Sequence, residues 1–335
     1  MHSGGKLVGQ GVYGCTFDPA PPCAGGPVFK KFSGRDPVGK VVSEDPTGEL
    51  AIGKKIMALP LASAYFALPS AACKPMMPIL DPEAKGCRVI TESGEGTKFS
   101  MMIMPDGGIP IMKYASNDLR RLATNYKKIF IHLLEGAVIY QNAGYVHNDI
   151  HMGNILVDDK DVARYIDFGL AFRPDDVKKW EDANLGTEFR PKFLMQAPEV
   201  HAWRMYINKI RLVDGVAALK ELNPEYKQIE NQFPARKDVT SALKDLLLNE
   251  PHSDGGRFIQ TYAKKFDSWR LGLCMWLFWN DLLSVDIFVL HPLYKERDTI
   301  RKVLGGLTEF DPRKRLSVSE ALHILDPKNR MVLPS

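Results

Sequence analysis

The sequence predicts an α+β fold of two lobes: a small sheet-rich N-terminal lobe with one key helix, and a larger helical C-terminal lobe. Residues 6 to 104 form short apolar runs separated by glycine and proline, which is typical of short strands joined by turns. After residue 108 the apolar residues recur at helical spacing instead. The 335 residues, 45% of them apolar and 25% charged, are sufficient for two such lobes.

The first lobe begins with a glycine-rich segment, G-Q-G-V-Y-G, at residues 9–14. Apolar residues stand on both sides of it, so the glycines are expected to form the turn of a β-hairpin. Because glycine has no side chain, the backbone amides of this turn can approach phosphate oxygens. The same pattern suits an ordinary hairpin turn, and the dinucleotide-binding version of the motif needs a helix after it rather than a strand.

The second lobe begins with a strongly helical pattern. Ile129, Leu133, Ala137 and Tyr140 share one helix face, and Gly144 marks the end of that helix. We predict an N-lobe over residues 1–104, a hinge over 105–108, and a C-lobe over 109–335 with an insertion at about 201–260.

The charge and the apolar segments limit the classes of partner. A net charge of +4 is too small for a protein that binds nucleic acid through many phosphate contacts. The most apolar stretch, residues 271–290, contains Asn280, Asp281 and Asp286, which favours a buried helix over a membrane span. The N-terminus lacks the basic and then apolar order of a signal peptide, and His2 replaces the glycine that myristoylation needs. We therefore expect a cytoplasmic monomer without nucleic-acid or membrane partners.

The cysteines form an odd-numbered set without C-x-x-C spacing. This pattern argues against both a disulfide framework and a zinc site. We expect small buried thiols and a reducing compartment. The five residues are Cys15, Cys23, Cys73, Cys87 and Cys274.

The segment with the most specific chemistry is V-H-N-D-I-H-M-G-N-I-L-V at residues 146–157, followed by Y-I-D-F-G at 165–169. These motifs resemble the catalytic loop and the Asp-Phe-Gly motif of protein kinases. In that family the loop carboxylate accepts the proton of the substrate hydroxyl, while an Asn five residues later and the Asp of the second motif bind Mg²⁺. The resemblance implies these roles for Asp149, Asn154 and Asp167. Phosphoryl transfer needs such groups, because it requires a positioned carboxylate and oxygen ligands for hard cations.

Three further motifs extend the resemblance over most of the chain. A-P-E at 197–199 is similar to the end of the family's activation segment, D-S-W-R-L-G at 267–272 to the opening of its central buried helix, and 311–322 to a late segment that contributes an arginine. We predict that this arginine, Arg315, forms a bidentate ion pair with Glu199. The resemblance implies a two-lobed protein kinase-like fold, with a small antiparallel sheet in the N-lobe and ATP in the cleft.

The resemblance also implies a lysine that anchors the α- and β-phosphates, and two strands offer one. Lys30 lies at the family's usual distance from the glycine turn, whereas Lys40 lies in the next apolar run. We favour Lys40 because S-E-D-P at residues 43–46 predicts that a helix over about 46–59 starts directly after its strand. Glu49 of that helix is then placed to pair with Lys40 and orient its ammonium.

Two residues of the catalytic loop depart from the family. Asn148 replaces the arginine that contacts a phosphorylated activation segment in many kinases, so we do not expect activation by that route. His151 replaces a lysine, and the resulting H-x-D-x-H pattern is similar to that of aminoglycoside and choline phosphotransferases. Its imidazole either donates to the γ-phosphate or braces the loop.

The connection between Glu199 and Asp267 is longer than in the family and contains two helix-like stretches, residues 214–222 and 238–247. They form either a substrate-binding surface or extra helices packed on the lobe. Together with Cys15 beside the glycine turn, a P-P-C turn and the displaced lysine strand, this insertion resembles the Ser/Thr protein kinases encoded by large DNA viruses. That likeness implies a viral protein of the host cytoplasm or the virion.

These motifs favour an ATP- and Mg²⁺-dependent kinase that phosphorylates Ser/Thr hydroxyls of a protein substrate. A small-molecule phosphotransferase, which the histidine pattern favours, and a pseudokinase that only binds partners remain alternatives. The predicted site consists of the catalytic residues Asp149, Lys40 and His151, the nucleotide-binding residues Gly9, Gln10, Gly11, Val12, Tyr13, Gly14, Lys40, Glu49, Met102 and Met104, and the metal ligands Asn154 and Asp167.

Overall fold

The chain divides into two compact units. The first comprises Met1–Gly108 and Arg164–Gly169, and the second comprises Ile109–Ala163 and Leu170–Ser335. The first unit is built on an antiparallel sheet and the second is mainly helical, which confirms the predicted α+β fold class. The computed structural model describes residues 5–11, 14–25, 36–76, 82–94, 96–183, 188–249 and 255–332.

The sheet of the first unit has five antiparallel strands in the order β1-β2-β3-β5-β4. Lys40 lies in the central strand, paired with Thr16 on one side and Met102 on the other. The strands are β1 (Lys6–Gln10), β2 (Gly14–Asp18), β3 (Val38–Val42), β4 (Ala71–Cys73) and β5 (Ser100–Met104).

The two faces of this sheet bury different apolar clusters. Side chains alternate between the faces along a strand, so Lys40 shares the face of Val38 and Val42. Met102 and Met104 of β5 belong to the same buried cluster as these two valines. The opposite face buries Cys15, Phe17, Val41, Cys87, Met101 and Ile103.

The helix predicted after the lysine strand is present as α1 (Thr47–Met57). The side chain of Asp45 accepts a hydrogen bond from the Thr47 backbone over 3.0 Å, and Pro46 occupies the N-cap rather than the first helical position. The unit also contains the single-turn helices α2 (Ala62–Tyr65), α3 (Pro82–Lys85) and α4 (Arg88–Thr91).

Four of the five cysteines form disulfides, so the prediction of reduced thiols is wrong. Cys15 is bonded to Cys87 and Cys23 to Cys73, while Cys274 is a buried free thiol. The partners are 72 and 50 residues apart, and spacing along the chain therefore gave no sign of them. Folding of the first unit brings them together, with Cα atoms 5.9 and 5.8 Å apart.

Loss of the Cys15–Cys87 bond should lower the free energy of unfolding by about 2–4 kcal/mol, because the bond closes a long loop in the unfolded chain. The variant with Cys15→Ala and Cys87→Ala should therefore unfold at a lower urea concentration than the parent under non-reducing conditions. Cys274→Ala is the control for loss of a buried sulfur without loss of a crosslink. A midpoint equal to that of the control would contradict the prediction.

The second unit is organised around two long helices, α6 (Leu119–Asn142) and α12 (Gly255–Leu283). Asp118 is the N-cap residue of α6, and its side chain accepts a hydrogen bond from the Arg121 backbone. The helix ends before Gly144, whose φ of 84° suits a helix stop. The predicted helix and its end are thereby confirmed. Tyr126 of α6 donates from its hydroxyl to the Met275 carbonyl of α12 over 2.8 Å.

α12 is longer than its sequence motif predicts. Asp267, expected at the opening of the helix, lies in its middle. The helix starts earlier because Phe258, Ile259 and Tyr262 extend its buried face toward the N-terminus.

The prediction of a buried helix over residues 271–290 holds only in part: α12 is mostly buried as far as Leu282 and ends at Leu283, whereas Ile287, Val289 and Leu290 of the following 3₁₀ turn are exposed. No described helix is long and apolar enough to cross a membrane.

The region from residue 198 to residue 249 contains α8 (Pro198–Ile207), α9 (Leu212–Leu222), α10 (Glu225–Gln232) and α11 (Val239–Asn249). α9 and α11 are the two predicted helices. α10 has no counterpart in the prediction, because Tyr226 and Ile229 are its only buried residues. Tyr226 stacks on Trp269 of α12 with ring centroids 6.0 Å apart, so α10 packs on the core of the unit. This contact favours a structural role for at least part of the insertion.

The remaining elements are shorter. They are β6 (Ile109–Pro110), α5 (Ile111–Asn117), β7 (Ile155–Val157), β8 (Ala163–Tyr165), α7 (Val177–Ala183), α13 (Arg297–Leu307), α14 (Val318–Leu325) and 3₁₀ turns at Met152–Asn154, Asp286–Leu290 and Pro292–Glu296.

Candidate active site

The glycine-rich segment joins β1 and β2, as predicted. The Gly11 amide donates to the Gly14 carbonyl over 2.9 Å and closes the turn. A Cβ atom on Gly14 would lie 2.6 Å from the Val41 carbonyl oxygen, so packing alone requires glycine there. At Gly9 and Gly11 the nearest atoms would be 3.7 and 3.9 Å from such a Cβ. Packing therefore does not explain these two glycines, which leave the backbone open to a ligand.

The other residues predicted beside the turn have different outcomes. Gln10 accepts a hydrogen bond from the Arg88 backbone over 2.9 Å, so its side chain ties β1 to α4. Val12 and Tyr13 lie outside the described residues, as does Lys30, the alternative phosphate anchor. Their predicted roles stay predictions.

Lys40 lies between two carboxylates. Its Nζ is 2.8 Å from Asp167 Oδ2 and 3.4 Å from Glu49 Oε2. These residues belong to β3, to the segment after β8 and to α1, so three separate parts of the first unit meet at one ammonium. The predicted pairing of Lys40 with Glu49 is confirmed.

The single positive charge of Lys40 faces the two negative charges of Asp167 and Glu49. Burial lowers the pKa of Lys40, but Asp167 and Glu49 outweigh burial and raise that pKa above its ordinary value. Burial is also the main reason why the pKa of Glu49 rises to about 6, with Asp167 raising it and Lys40 lowering it. Two carboxylates thus share one ammonium, and a second cation would relieve their repulsion.

The carboxylate of Asp167 is held by its backbone and its neighbours. Its φ of 59° lies in the left-handed region, which is uncommon for residues other than glycine and is often found at functional sites. Phe168 is fully buried and packs edge-to-face on Phe66, with ring centroids 5.8 Å apart. One third of the Asp167 side chain, 33%, remains exposed and is accessible to a ligand.

The predicted catalytic loop lies in the second unit, between α6 and β7. Asn154 Nδ2 donates to the backbone oxygen and to Oδ2 of Asp149, each over 3.0 Å. The structure therefore brings these two predicted residues into direct contact. The Asp149 side chain is 29% exposed, so its carboxylate remains accessible to a hydroxyl.

A buried carboxylate fixes the backbone that leads into this loop. Asp267 Oδ2 accepts from the His147 amide over 2.8 Å, and its Oδ1 accepts from the Asn148 amide over 3.0 Å. Tyr140 donates to Oδ2 over 3.1 Å. Burial raises the pKa of Asp267, while Arg270 and these hydrogen bonds act in the opposite direction. The motif in the sequence identified this residue only as part of a helix.

His151 contacts its own loop. Its Nδ1 accepts from the Gly153 amide over 3.0 Å. Its Nε2 is 3.8 Å from Asp149 Oδ2, which is too long for a hydrogen bond. This contact with Gly153 supports a bracing role for His151. Donation from His151 to a phosphate stays a prediction.

The predicted ion pair of Glu199 and Arg315 is confirmed and bidentate. Arg315 Nη1 and Nη2 donate to Glu199 Oε1 and Oε2 over 2.7 and 2.8 Å, and both side chains are fully buried. The guanidinium also donates to the carbonyls of Glu309, Lys265 and Phe310. The buried charge is therefore compensated by a carboxylate and by backbone oxygens.

A buried histidine of α8 should make stability depend on pH. Burial, followed by the charge of Arg204, lowers the pKa of His201 to about 3, against 6.5 in an unfolded chain. Below pH 6.5 His201 takes up a proton in the unfolded chain but stays neutral in the folded protein. The free energy of unfolding should therefore fall as the pH drops from 6.5 toward 3. Between pH 7 and pH 5 the parent should lose about 2 kcal/mol of unfolding free energy that His201→Gln does not lose. Urea unfolding at both pH values tests this, and equal losses in the two proteins would contradict it.

A solved structure resembles this arrangement of elements. The kinase domain of a specific rhoptry antigen of Toxoplasma gondii matches with a TM-score of 0.52 and 11% sequence identity, over 98% of this chain and 79% of that chain. This chain has a protein kinase-like fold. No protein-family model matches the sequence, and no curated protein is similar to it in sequence.

The sheet of the first unit places an apolar surface beside Lys40. Met102 and Met104 are buried with Val38 and Val42 on the face of the sheet that carries Lys40. An apolar surface next to a cation suits a planar base that is joined to phosphates. The predicted nucleotide-binding role of Met102 and Met104 stays a prediction.

Each of the two units contains a side-chain oxygen donor of a type that binds Mg²⁺. Asp167 offers a carboxylate, and Asn154 offers an amide oxygen because its Nδ2 already donates to Asp149. Mg²⁺ in proteins is usually held by one or two carboxylates together with substrate phosphates. Within the part of the chain that the structure describes, no group of three or more His, Cys, Asp or Glu residues could hold a metal alone.

Proposed function

We propose that this chain is an ATP- and Mg²⁺-dependent protein kinase that transfers the γ-phosphate to Ser/Thr hydroxyls of protein substrates. The observation that carries the proposal is the contact of Lys40 with Asp167, with Glu49 on the other side of the ammonium. Lys40 and Asp167 are 127 positions apart, and each is the residue type that the resemblance to kinases requires. The proposal extends to a viral enzyme of the host cytoplasm or the virion.

Residues of the first unit bind the nucleotide in this proposal. Gly9 and Gly11 leave space for phosphate oxygens near backbone amides. Lys40 donates to the α- and β-phosphates, and Glu49 keeps its ammonium in place. Asp167 is a metal ligand. Bound ATP supplies the phosphoryl group, and Mg²⁺ supplies positive charge that stabilises the transition state.

Residues of the second unit act on the acceptor. Asp149 aligns the substrate hydroxyl and accepts its proton, since a partly exposed carboxylate can meet a hydroxyl directly. Asn154 holds this carboxylate through Nδ2 and offers its amide oxygen to the second metal position. His151 braces the loop through its Gly153 contact.

The histidine pattern keeps a small-molecule phosphotransferase as the second candidate. The buried pair of Glu199 and Arg315 favours a protein kinase, because the resemblance associates both residues with the large lobe of that family. The two candidates differ in the acceptor and share the nucleotide chemistry.

The test is phosphate incorporation from ATP, with and without Mg²⁺, into the protein itself and into a generic basic protein. Lys40→Met should lower Mg²⁺-dependent incorporation at least about 10²-fold, because the phosphates lose their anchor. Lys54→Met on the exposed side of α1 is the matched control and should keep the parent's rate. Mg²⁺-dependent ATP binding by the parent without incorporation into any protein would refute the proposal.

A further inference from the structure

Asn148 occupies an uncommon position in the catalytic loop. Its φ is 62°, a left-handed conformation that asparagine tolerates better than most residues, and it is only 2% exposed. Both ends of its amide form hydrogen bonds: Oδ1 accepts from Arg270 Nη1 over 2.9 Å, and Nδ2 donates to the Leu170 carbonyl over 3.4 Å. An arginine at this position could not accept the first bond, because a guanidinium has no acceptor.

Arg270 extends this connection to a second segment. Its Nε donates to the Met195 carbonyl over 3.1 Å, and the adjacent Trp269 Nε1 donates to the Leu194 carbonyl over 3.4 Å. One buried guanidinium of α12 thus joins the catalytic loop to the segment that ends in A-P-E. Arg270 is only 5% exposed, so water has little access to these bonds.

The electrostatic environment keeps this cation in place. Burial lowers the pKa of Arg270, and the carboxylates of Asp267 and Asp149 counteract this effect. A buried cation that moved away from its partners would lose them without gaining water, which is costly. The hydrogen bonds of Arg270 are therefore costly to break.

In many kinases a phosphate added to the activation segment orders it by pairing with an arginine. The bonds of Arg270 use an amide oxygen and a backbone carbonyl, so they need no phosphate. The sequence between Asp167 and Ala197 contains a single hydroxyl side chain, Thr187, which lies outside the described residues. Only one phosphorylation site is therefore available there.

We propose that Arg270 is a positioning residue that holds the Asp149 loop and residues 194–195 in one arrangement, so that phosphoryl transfer does not depend on phosphorylation of this segment. The inference rests on the proposed kinase function and adds to it how the site is regulated. Arg270 takes over the ordering role that a phosphate has in other kinases, and it acts from α12 rather than from the catalytic loop.

Removal of phosphate tests the regulatory part. The parent treated with phosphatase, and Thr187→Ala, should both incorporate phosphate into a basic protein within about twofold of the untreated parent. A loss of about tenfold or more in either sample would overturn the inference while the kinase function stands.

Substitution of Arg270 tests the positioning part. Arg270→Lys keeps the charge but cannot form both bonds at once, so kcat should fall about 10²-fold while the Kd for ATP stays unchanged. Asn148→Gly removes the acceptor, tolerates the left-handed φ and should give a similar loss, and the double variant should lose little more than either single variant. Lys264→Met, at an exposed position of the same helix, is the matched control. An unchanged kcat in Arg270→Lys would overturn the inference.

Hydrogen exchange separates this inference from the proposed function. Amides of residues 188–196 should exchange faster in Arg270→Lys than in the parent, whether or not the protein transfers phosphate. Unchanged exchange would overturn the positioning role. Faster exchange together with a parent that incorporates no phosphate would refute the kinase function and leave the Arg270 connection in place.

Discussion

Asp149→Asn should lower kcat about 10²- to 10⁴-fold while the parent's affinity for Mg²⁺ and ATP is kept. The amide that replaces the carboxylate cannot accept the proton of the hydroxyl, and one of its two possible orientations opposes the Asn154 donor. Steady-state rates and calorimetric titration with ATP measure the two quantities separately.

Asp167→Asn should affect the binding of ATP before it affects kcat. The substitution removes the negative charge that pairs with Lys40, and with it a proposed ligand of Mg²⁺. Mg²⁺-dependent ATP binding should therefore weaken together with transfer. Asp298→Asn, at a side chain that is 85% exposed, is the control for loss of one carboxylate. If Asp149→Asn and Asp167→Asn both transferred phosphate at the parent's rate, the assigned roles would be wrong.

Glu199→Gln should lower the free energy of unfolding by about 3–5 kcal/mol, because it leaves the buried Arg315 without a charged partner. Urea or thermal unfolding of the variant measures the loss. The matched control is Asp214→Asn on α9, whose ion pair with Arg211 is exposed to solvent and should contribute little to the free energy of unfolding.

The double variant Glu199→Met with Arg315→Met distinguishes a broken pair from lost packing. Its loss should be smaller than the sum of the two single losses, because no buried charge then remains unpaired. Additive losses would mean that the two side chains stabilise the lobe independently, and the description of a coupled pair would be wrong.

The fold class was predictable because its signals are local. The change from short apolar runs to helical spacing can be seen within windows of about ten residues, and turns, caps and strand-to-helix junctions are also local. The choice of Lys40 depended on such a junction, between β3 and α1. α10 escaped prediction because two buried residues on a polar helix give too weak a pattern.

The candidate site was predictable where the chemistry dictates residue types at fixed spacing, as in Asp149 and Asn154. Contacts between positions far apart in the sequence were not predictable. Arg270 stands at a variable position of its motif, and only the structure shows that it bonds to Asn148, 122 positions away. The disulfides escaped for the same reason, since folding of the first unit, and not spacing along the chain, brings their cysteines together.

The two disulfides are also nested along the sequence. The inner ring, closed by Cys23 and Cys73, lies within the outer ring closed by Cys15 and Cys87, and Lys40 and Glu49 both lie inside the inner ring. A single cut in the backbone between residues 24 and 72 therefore leaves two pieces that both bonds still connect. One such cut therefore does not detach β3, which carries Lys40, from the glycine turn. A clipped chain would migrate as one species until a reductant released it as two.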